Sequence, residues 1–204
     1  HGAAVVALTI DETGMARTSQ HKVQVASRLI EDLCNNWNMN VCDIMVDALT
    51  FPIVTGQEET RKDGLETLLA IEEIAKKFPG VQTVLGLSNV SFGLNPAARQ
   101  VLNSVFLAQA IERGLTAAIV HPSKILPLSR IPQEQIDAAM ALIYDQRIFE
   151  NDICIVDPLS KFLDLFENVD AQNTSKNRLA DLLAMPLFER LSQRIIDGEK
   201  DGLE

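Results

Sequence analysis

Cysteine, histidine, aromatic side chains and positive charge are all scarce in this chain. Its three cysteines, Cys34, Cys42 and Cys154, form no CxxC pair and no disulfide framework, so they read as small buried hydrophobes. The three histidines, His1, His21 and His121, are scattered, and no HExxH or Cys-rich spacing accompanies them, which leaves no metal centre to expect here. Lys and Arg number 18 against 28 Asp and Glu, a net charge of −10, so no large positive field draws a phosphate backbone and nucleic acid is excluded as a partner. Apolar runs such as "GAAVVALTI" are too short to cross a bilayer, and no charged leader with a cleavage-like site opens the sequence. A cytoplasmic protein without membrane contact is the expectation. A glycine-rich phosphate loop, a dinucleotide fingerprint and a Ser-His-Asp arrangement are also missing, and "GLSNVSFG" is not a nucleophile elbow.

What remains is 204 residues with 47% hydrophobic content, enough for one large domain or one domain with an appendage. Strand-like and helix-like segments alternate. "AAVVALTI" (3–10) precedes charged turn material and a helical pattern over 19–34, with Val23, Ala26, Leu29, Ile30 and Leu33 on one stripe. "CDIMVDAL" (42–49) is the second strand. Thr55 with Glu58 reads as a capping box for a helix reaching Phe78 and closed by Pro79-Gly80. "VQTVLGL" is the third strand, and Asn95-Pro96 caps a helix with Ala98, Val101, Leu102, Val105 and Ala108 inward and Gly114 at its end. "TAAIVH" (116–121) is the fourth, and Pro132 opens a helix to Tyr144. Each crossover is long enough to join parallel strands, so the class is α/β, as an open sheet or as half of an eight-stranded barrel. Beyond residue 148, "CIVDPLSKFLDLFENV" has helical periodicity and "DAQNTSKN" reads as a polar joint. Leu179, Leu182, Leu183, Leu187, Leu191 and Ile195 then make a stripe interrupted by Pro186, the mark of a helical module whose partners lie elsewhere.

In βα proteins ligands gather at the carboxyl ends of the strands. The polar residues there are Asp11 and Glu12 after the first strand, Asp47 on the second, Asn89 after the third, and His121 with Ser123 and Lys124 after the fourth. A carboxylate such as Asp47 suits a flat heterocycle that offers an NH beside an NH2, or else it caps a local turn. Asn89 both donates and accepts, so it can follow a ring nitrogen whose protonation changes, or it closes the loop with Ser88 and Ser91. Phe92 stacks on a ligand or anchors the loop, and Arg99 and Lys124 meet a carboxylate tail or stay solvated.

The stretches "GAAVVALTIDETGMA", "DIMVDALTFPIVTG", "GLSNVSFGLNPAARQVLNSVF" and "AAIVHPSKILP" closely resemble the pterin-binding (methyltetrahydrofolate) domain of the cobalamin-dependent methionine synthases, a TIM-barrel family related to dihydropteroate synthase. The resemblance implies the C-terminal half, about four βα units, of a pterin-binding TIM barrel over 1–168, a linker at 169–177, and over 178–204 the first helical segment of a cobalamin-binding cap domain. It implies methyl transfer from 5-methyltetrahydrofolate to cob(I)alamin in the complete enzyme, with an inactive isolated fragment; the alternatives are a pterin/corrinoid methyltransferase of another one-carbon pathway, or a non-catalytic pterin-binding or assembly fragment. Asp47 would grip the pterin's amino and ring NH groups, Asn89 would lie against N5 as the catalytic group, and Asp11, Ser91 and Phe92 would complete the substrate site. Glu12, Arg99, His121 and Lys124 follow as outer contacts. The family reads "DPN"-like where this chain has "DAL", so one amide is missing beside Asp47. Cobalamin would be held by a domain mostly outside this sequence, and zinc only by a separate homocysteine domain. Those two domains are the implied partners, and a half-barrel alone would self-associate through its open edges.

Overall fold

A computed structural model describes residues 2–167 and 184–197. The chain divides into two compact units, 1–167 and 168–204. In the first unit, β1 (Val5–Leu8), β4 (Ile44–Asp47), β5 (Gln82–Leu85) and β6 (Ala117–Ala118) form one parallel sheet in the order β1-β4-β5-β6. Between them run α1 (Ser19–Asn35), α2 (Asp63–Lys77) and α3 (Pro96–Glu112), and α4 (Gln133–Ile143) follows. Consecutive strands are neighbours and every connection is a helical crossover, which is the arrangement of a partial, unclosed βα barrel.

The register fixes which side chains share a face. Val5 pairs with Ile44, Ala7 with Val46, Val46 with Thr83 and Leu85 with Ala118. Ala7, Ile44, Val46, Thr83 and Leu85 are buried, and a core of Val23, Ala26 and Ile30 from α1 with Ala70 and Ile74 from α2 packs onto Ile44 and Val46. On the opposite face, Leu8, Asp47, Val84 and Ala117 fall in one row. That face is open along β1, where Val6 is 56% and Leu8 43% exposed, and closes at β5, where Val84 is buried. A strand apolar on both sides but covered on one is what the interior wall of a barrel presents.

Local signals set most element ends. Thr18 accepts from the His21 N–H to start α1, and Asn95 accepts from the Ala98 N–H with Pro96 at the first turn of α3. Gly114 turns the chain after α3 at φ +99°, where a Cβ would come within 2.9 Å of Ala75 Cβ, so only glycine fits. Ala108 is half-buried, while Asn103, Ser104 and Phe106 join the inward face.

Several expectations are corrected. Thr55 and Glu58 make no capping box. Thr55 Oγ1 meets Thr60 Oγ1 at 2.6 Å in a 3-10 turn over Glu58–Thr60, and Glu58 is held by Arg147 at 2.7 and 2.8 Å. The fourth strand contracts to two residues because Thr116 and Thr83 replace ladder bonds with side-chain ones, Thr83 N–H donating to Thr116 Oγ1 at 2.9 Å. The charged turn after β1 is a small antiparallel hairpin of β2 (Ile10–Asp11) and β3 (Gly14–Met15). "ICIV" is strand rather than helix: β7 (Ile148–Glu150) and β8 (Ile153–Val156) form an antiparallel hairpin whose two linking residues, Asn151 and Asp152, have φ of +47° and +63°. Cys42 and Cys154 are exposed and Cys34 is partly so, which contradicts their reading as buried hydrophobes.

Helix α5 (Pro158–Asp164) closes the first unit. Asp157 caps it, accepting from the Leu159 N–H at 2.9 Å, and also takes a two-pronged contact from Arg61 at 2.7 and 2.9 Å. The Arg61 contact holds the Asp157 carboxyl below the usual range against the opposing effect of burial. Such a group stabilises the fold above its unfolded pKa and loses that contribution as pH falls through the lower, folded value. Asp157→Ala therefore removes a cap and strands a largely buried guanidinium, an expected loss of about 2–3 kcal/mol in urea unfolding at neutral pH. The difference from the parent should shrink toward acid pH.

In the second unit, α6 (Leu187–Asp197) follows Pro186, and Leu187 and Phe188 are exposed. The expected linker at 169–177 and the stripe residues Leu179, Leu182 and Leu183 lie outside the described residues.

Candidate functional site at the carboxyl ends of the strands

Asp47 is the last residue of β4 and stands on the open face, half-buried. Its Oδ1 accepts from the Leu49 N–H at 2.8 Å, and its main-chain carbonyl accepts from the Thr9 N–H at 3.0 Å and Thr9 Oγ1 at 3.2 Å. Oδ2 has no protein donor among the described residues. Burial raises its pKa, with the Leu49 N–H and the nearby Lys22 charge opposing. The carboxylate is fixed in orientation yet keeps acceptor capacity toward the open face.

On the neighbouring strand, β5 ends at Leu85 and the chain turns at Gly86 into a 3-10 segment over Leu87–Ser91. Asn89 is exposed in it. A Cβ on Gly86 would lie 3.5 Å from Asn89 Nδ2, so the carboxamide folds back over the strand end. That carboxamide has no hydrogen-bond partner among the described residues. Ser91, by contrast, is fully buried, donates to the Ser88 carbonyl at 3.2 Å and accepts from Arg99 Nε at 3.2 Å. Arg99 Nη2 also bonds the Ser88 carbonyl at 3.1 Å. Ser91 and Arg99 thus brace the segment that presents Asn89, and the structure turns neither outward. Phe92 is 67% exposed at its end.

The remaining candidates separate into partnered and solvated groups. Asp11 meets His21 Nε2 at 2.8 Å and accepts from the Thr13 N–H at 2.8 Å and Thr13 Oγ1 at 2.7 Å, and the His21 contact chiefly holds its carboxyl well below the usual range. Glu12 pairs with Arg28 at 3.1 Å on the surface. His121 contacts Ser123 Oγ at 3.0 Å, and both His121 and Lys124 are exposed after β6. Among the described residues no group of three or more His, Cys, Asp or Glu side chains could hold a metal ion, and no helix is long and apolar enough to cross a membrane. A groove of about 800 Å³ runs along α1 from Gln20 to Asn36 and meets α2 at Glu73 and Lys77; it includes none of the candidate residues.

Two residues near Asp47 were not singled out from the sequence. Lys22 on α1 is fully buried, and its Nζ donates to the Ala48 carbonyl at 2.5 Å and the Leu49 carbonyl at 3.1 Å. Thr50 is buried with Oγ1 unpaired among the described residues. The available signal for Lys22 was a lysine one turn before Ala26, on the apolar stripe of α1.

Comparison with known proteins agrees with this architecture. The family described as pterin binding enzyme matches residues 1–121. Methionine synthase of Mycobacterium tuberculosis (strain ATCC 25618 / H37Rv) is 59% identical over 204 residues, all of this chain and 17% of that protein. Methionine synthase of Mycobacterium leprae (strain TN) is 58% identical over the same length, covering 16% of that protein. The chain therefore spans about one sixth of the length of these curated relatives. Four parallel strands in chain order, a fixed carboxylate and a free carboxamide at their carboxyl ends, and a family match across more than half of its residues together assign the chain to the pterin binding enzyme family.

Proposed function

We propose that this chain forms part of the 5-methyltetrahydrofolate platform of a methionine synthase, which passes the N5 methyl group to cob(I)alamin and thence to homocysteine. The observation that carries the reading is the placement of Asp47 and Asn89 at adjacent strand ends, one fixed and with acceptor capacity to spare, the other without a hydrogen-bond partner among the described residues. Relatedness beyond residue 121, where the family match stops but identity to the methionine synthases continues, favours this over a corrinoid methyltransferase of another pathway.

Asp47 accepts the fork made by the pterin's amino group and adjacent ring NH, two charge-assisted hydrogen bonds that set the ring's orientation. Asn89 then lies against N5. An N-methyl amine is a poor methyl donor because its nitrogen would leave with negative charge, so a hydrogen bond that strengthens as the C–N bond breaks lowers the barrier. A carboxamide without a protein partner can donate to that nitrogen or turn to accept from its protonated form. Asp11 and Phe92 border the same face, Phe92 as a stacking surface. Arg99 and Ser91 act by holding the Asn89 segment, and Glu12, His121 and Lys124 are peripheral.

The corrin belongs to a neighbouring domain and, when bound there, supplies the low-valent cobalt nucleophile that takes the methyl group. The residues here fit its approach rather than its binding: Asn89, Phe92 and His121 are exposed at the strand ends. Residues 178–204 are assigned to the start of the cobalamin-binding cap domain and 169–177 to the linker, and zinc is assigned to the homocysteine domain. A cytoplasmic location fits the acidic composition and the three free thiols.

The test is transfer of isotopically labelled methyl from 5-methyltetrahydrofolate to reduced cobalamin by the full-length protein. Pterin binding with no transfer would refute the reading. The isolated 204-residue chain is expected to bind 5-methyltetrahydrofolate weakly or not at all, and to self-associate through the exposed Val6 and Leu8 face and the β1 and β6 edges. Sedimentation and ligand titration check both, and a monomer binding tightly at one-to-one stoichiometry would contradict them.

A further inference from the structure

A lysine with no solvent-exposed surface and no described carboxylate in hydrogen-bond reach is an expensive residue to keep in a core. Lys22 is one, with no exposed surface at all. Its ammonium donates to the carbonyls of Ala48 and Leu49, the two residues directly after Asp47, and stands 4.9 Å from the centre of the Phe51 ring. The hydrogen bonds and ring contact of its ammonium therefore all fall on the loop leaving β4. Leu49 in that loop adopts φ +57°, a left-handed conformation that a leucine takes only when surrounding contacts impose it. Those contacts bracket it: Lys22 Nζ and Thr67 Oγ1 (3.0 Å) bond its carbonyl, and Asp47 Oδ1 takes its N–H.

We infer that Lys22 is the positioning residue of the candidate pterin site: by clasping the Ala48 and Leu49 carbonyls it holds the left-handed turn that aims the Leu49 N–H at Asp47 and thereby sets the angle at which the carboxylate meets its ligand. The inference rests on the reading of Asp47 as the group that accepts the pterin's amino and NH fork. Charge supports the same arrangement. Burial pushes the Lys22 pKa down to about 8, against the pull of Asp63 and Asp47, while Arg17 adds to the lowering and Glu66 opposes it. Of these, Asp63 is engaged by Arg17 and Glu66 by the Ser19 N–H. Asp47 thus shares its surroundings with a cation that touches its loop rather than its oxygens.

The test uses the full-length protein and two ligands, 5-methyltetrahydrofolate and its 2-desamino-2-methyl counterpart, which lacks the amino group that the carboxylate would read. The preference for the amino ligand is the readout, because loss of packing alone would weaken both ligands alike. Asp47→Ala should abolish the preference; if it does not, the reading of Asp47 falls and this inference with it. Lys22→Met, of similar length and uncharged, should reduce the preference about tenfold while leaving the desamino ligand within about threefold of the parent. A wild-type preference in Lys22→Met beside a lost one in Asp47→Ala overturns the role of Lys22 alone, as does an equal loss for both ligands. Should Lys22→Met fail to fold, the unmutated protein is measured from about pH 7 to about pH 9.5, where Lys22, facing Asp47, Asp63, Glu66 and Arg17, sheds its proton. The preference should narrow across that range, and a flat profile overturns the inference.

Discussion

Asn89→Ala in the full-length protein is expected to slow single-turnover methyl transfer to reduced cobalamin about 100-fold or more while changing the Kd for 5-methyltetrahydrofolate by about threefold or less. The asymmetry follows from where Asn89 sits. It is exposed on a 3-10 segment braced from beneath by Arg99 and Ser91, so truncating it removes no internal bond and leaves the presenting segment intact. Its contribution is confined to whatever faces it from outside, and a bond to N5 gains strength only as negative charge builds on that nitrogen. Equal losses in rate and affinity would make Asn89 an ordinary binding contact. Asn89→Asp, acceptor only when ionised, separates the two roles: it should be as slow as the alanine variant where the amide donates to N5 and should retain rate where the amide accepts from protonated N5.

Asp47→Asn should have the opposite signature, weakening pterin affinity about 100-fold by replacing a charged acceptor with an amide that turns donors toward donors. The stability of the unliganded protein should hardly fall. Burial raises the Asp47 pKa, so the ionised form is penalised in the fold at neutral pH and the penalty is relieved as pH drops through the raised value. Removing the charge removes that penalty, while the amide oxygen still accepts from the Leu49 N–H. The same sign governs ligand binding: affinity should decline on acidification at a higher pH than an ordinary aspartate would dictate, and the decline should be missing in Asp47→Asn. Isothermal titration across pH, with thermal unfolding alongside, checks both expectations. A drop in Tm comparable with that of a core truncation would recast Asp47 as a structural residue.

The parallel βα alternation was legible because each unit carries its own local punctuation, and Asn95-Pro96 before α3 is the clearest case. Expectations failed where two patterns were compatible with one stretch. "ICIV" before "DPLSKFLDLF" continues a helical periodicity, yet β-branched residues after a two-residue Asn-Asp turn form a hairpin strand, and the turn chemistry wins. Thr55 and Glu58 have capping-box spacing, but Arg147, distant in sequence, claims the glutamate. At the site, the sequence pointed to Asp47 and Asn89 together with Ser91, on the same 3-10 segment as Asn89, and Arg99, in the first turn of α3. Only packing distinguishes a side chain that faces outward from one that braces the loop beneath it. Lys22 escaped notice because a periodic stripe counts apolar residues, and a cation satisfied by two carbonyls adds nothing to that count.

The strand order carries a consequence for biogenesis. Because β4 pairs with β1, β5 with β4 and β6 with β5, each new strand emerging from a ribosome finds its neighbour already made. Loop-closure costs stay local, and the sheet can lengthen one unit at a time. Within the described sheet β1 and β6 are the two boundaries without a partner strand, so they are the seams most open to capture by a chaperone or to mispairing with a sister chain.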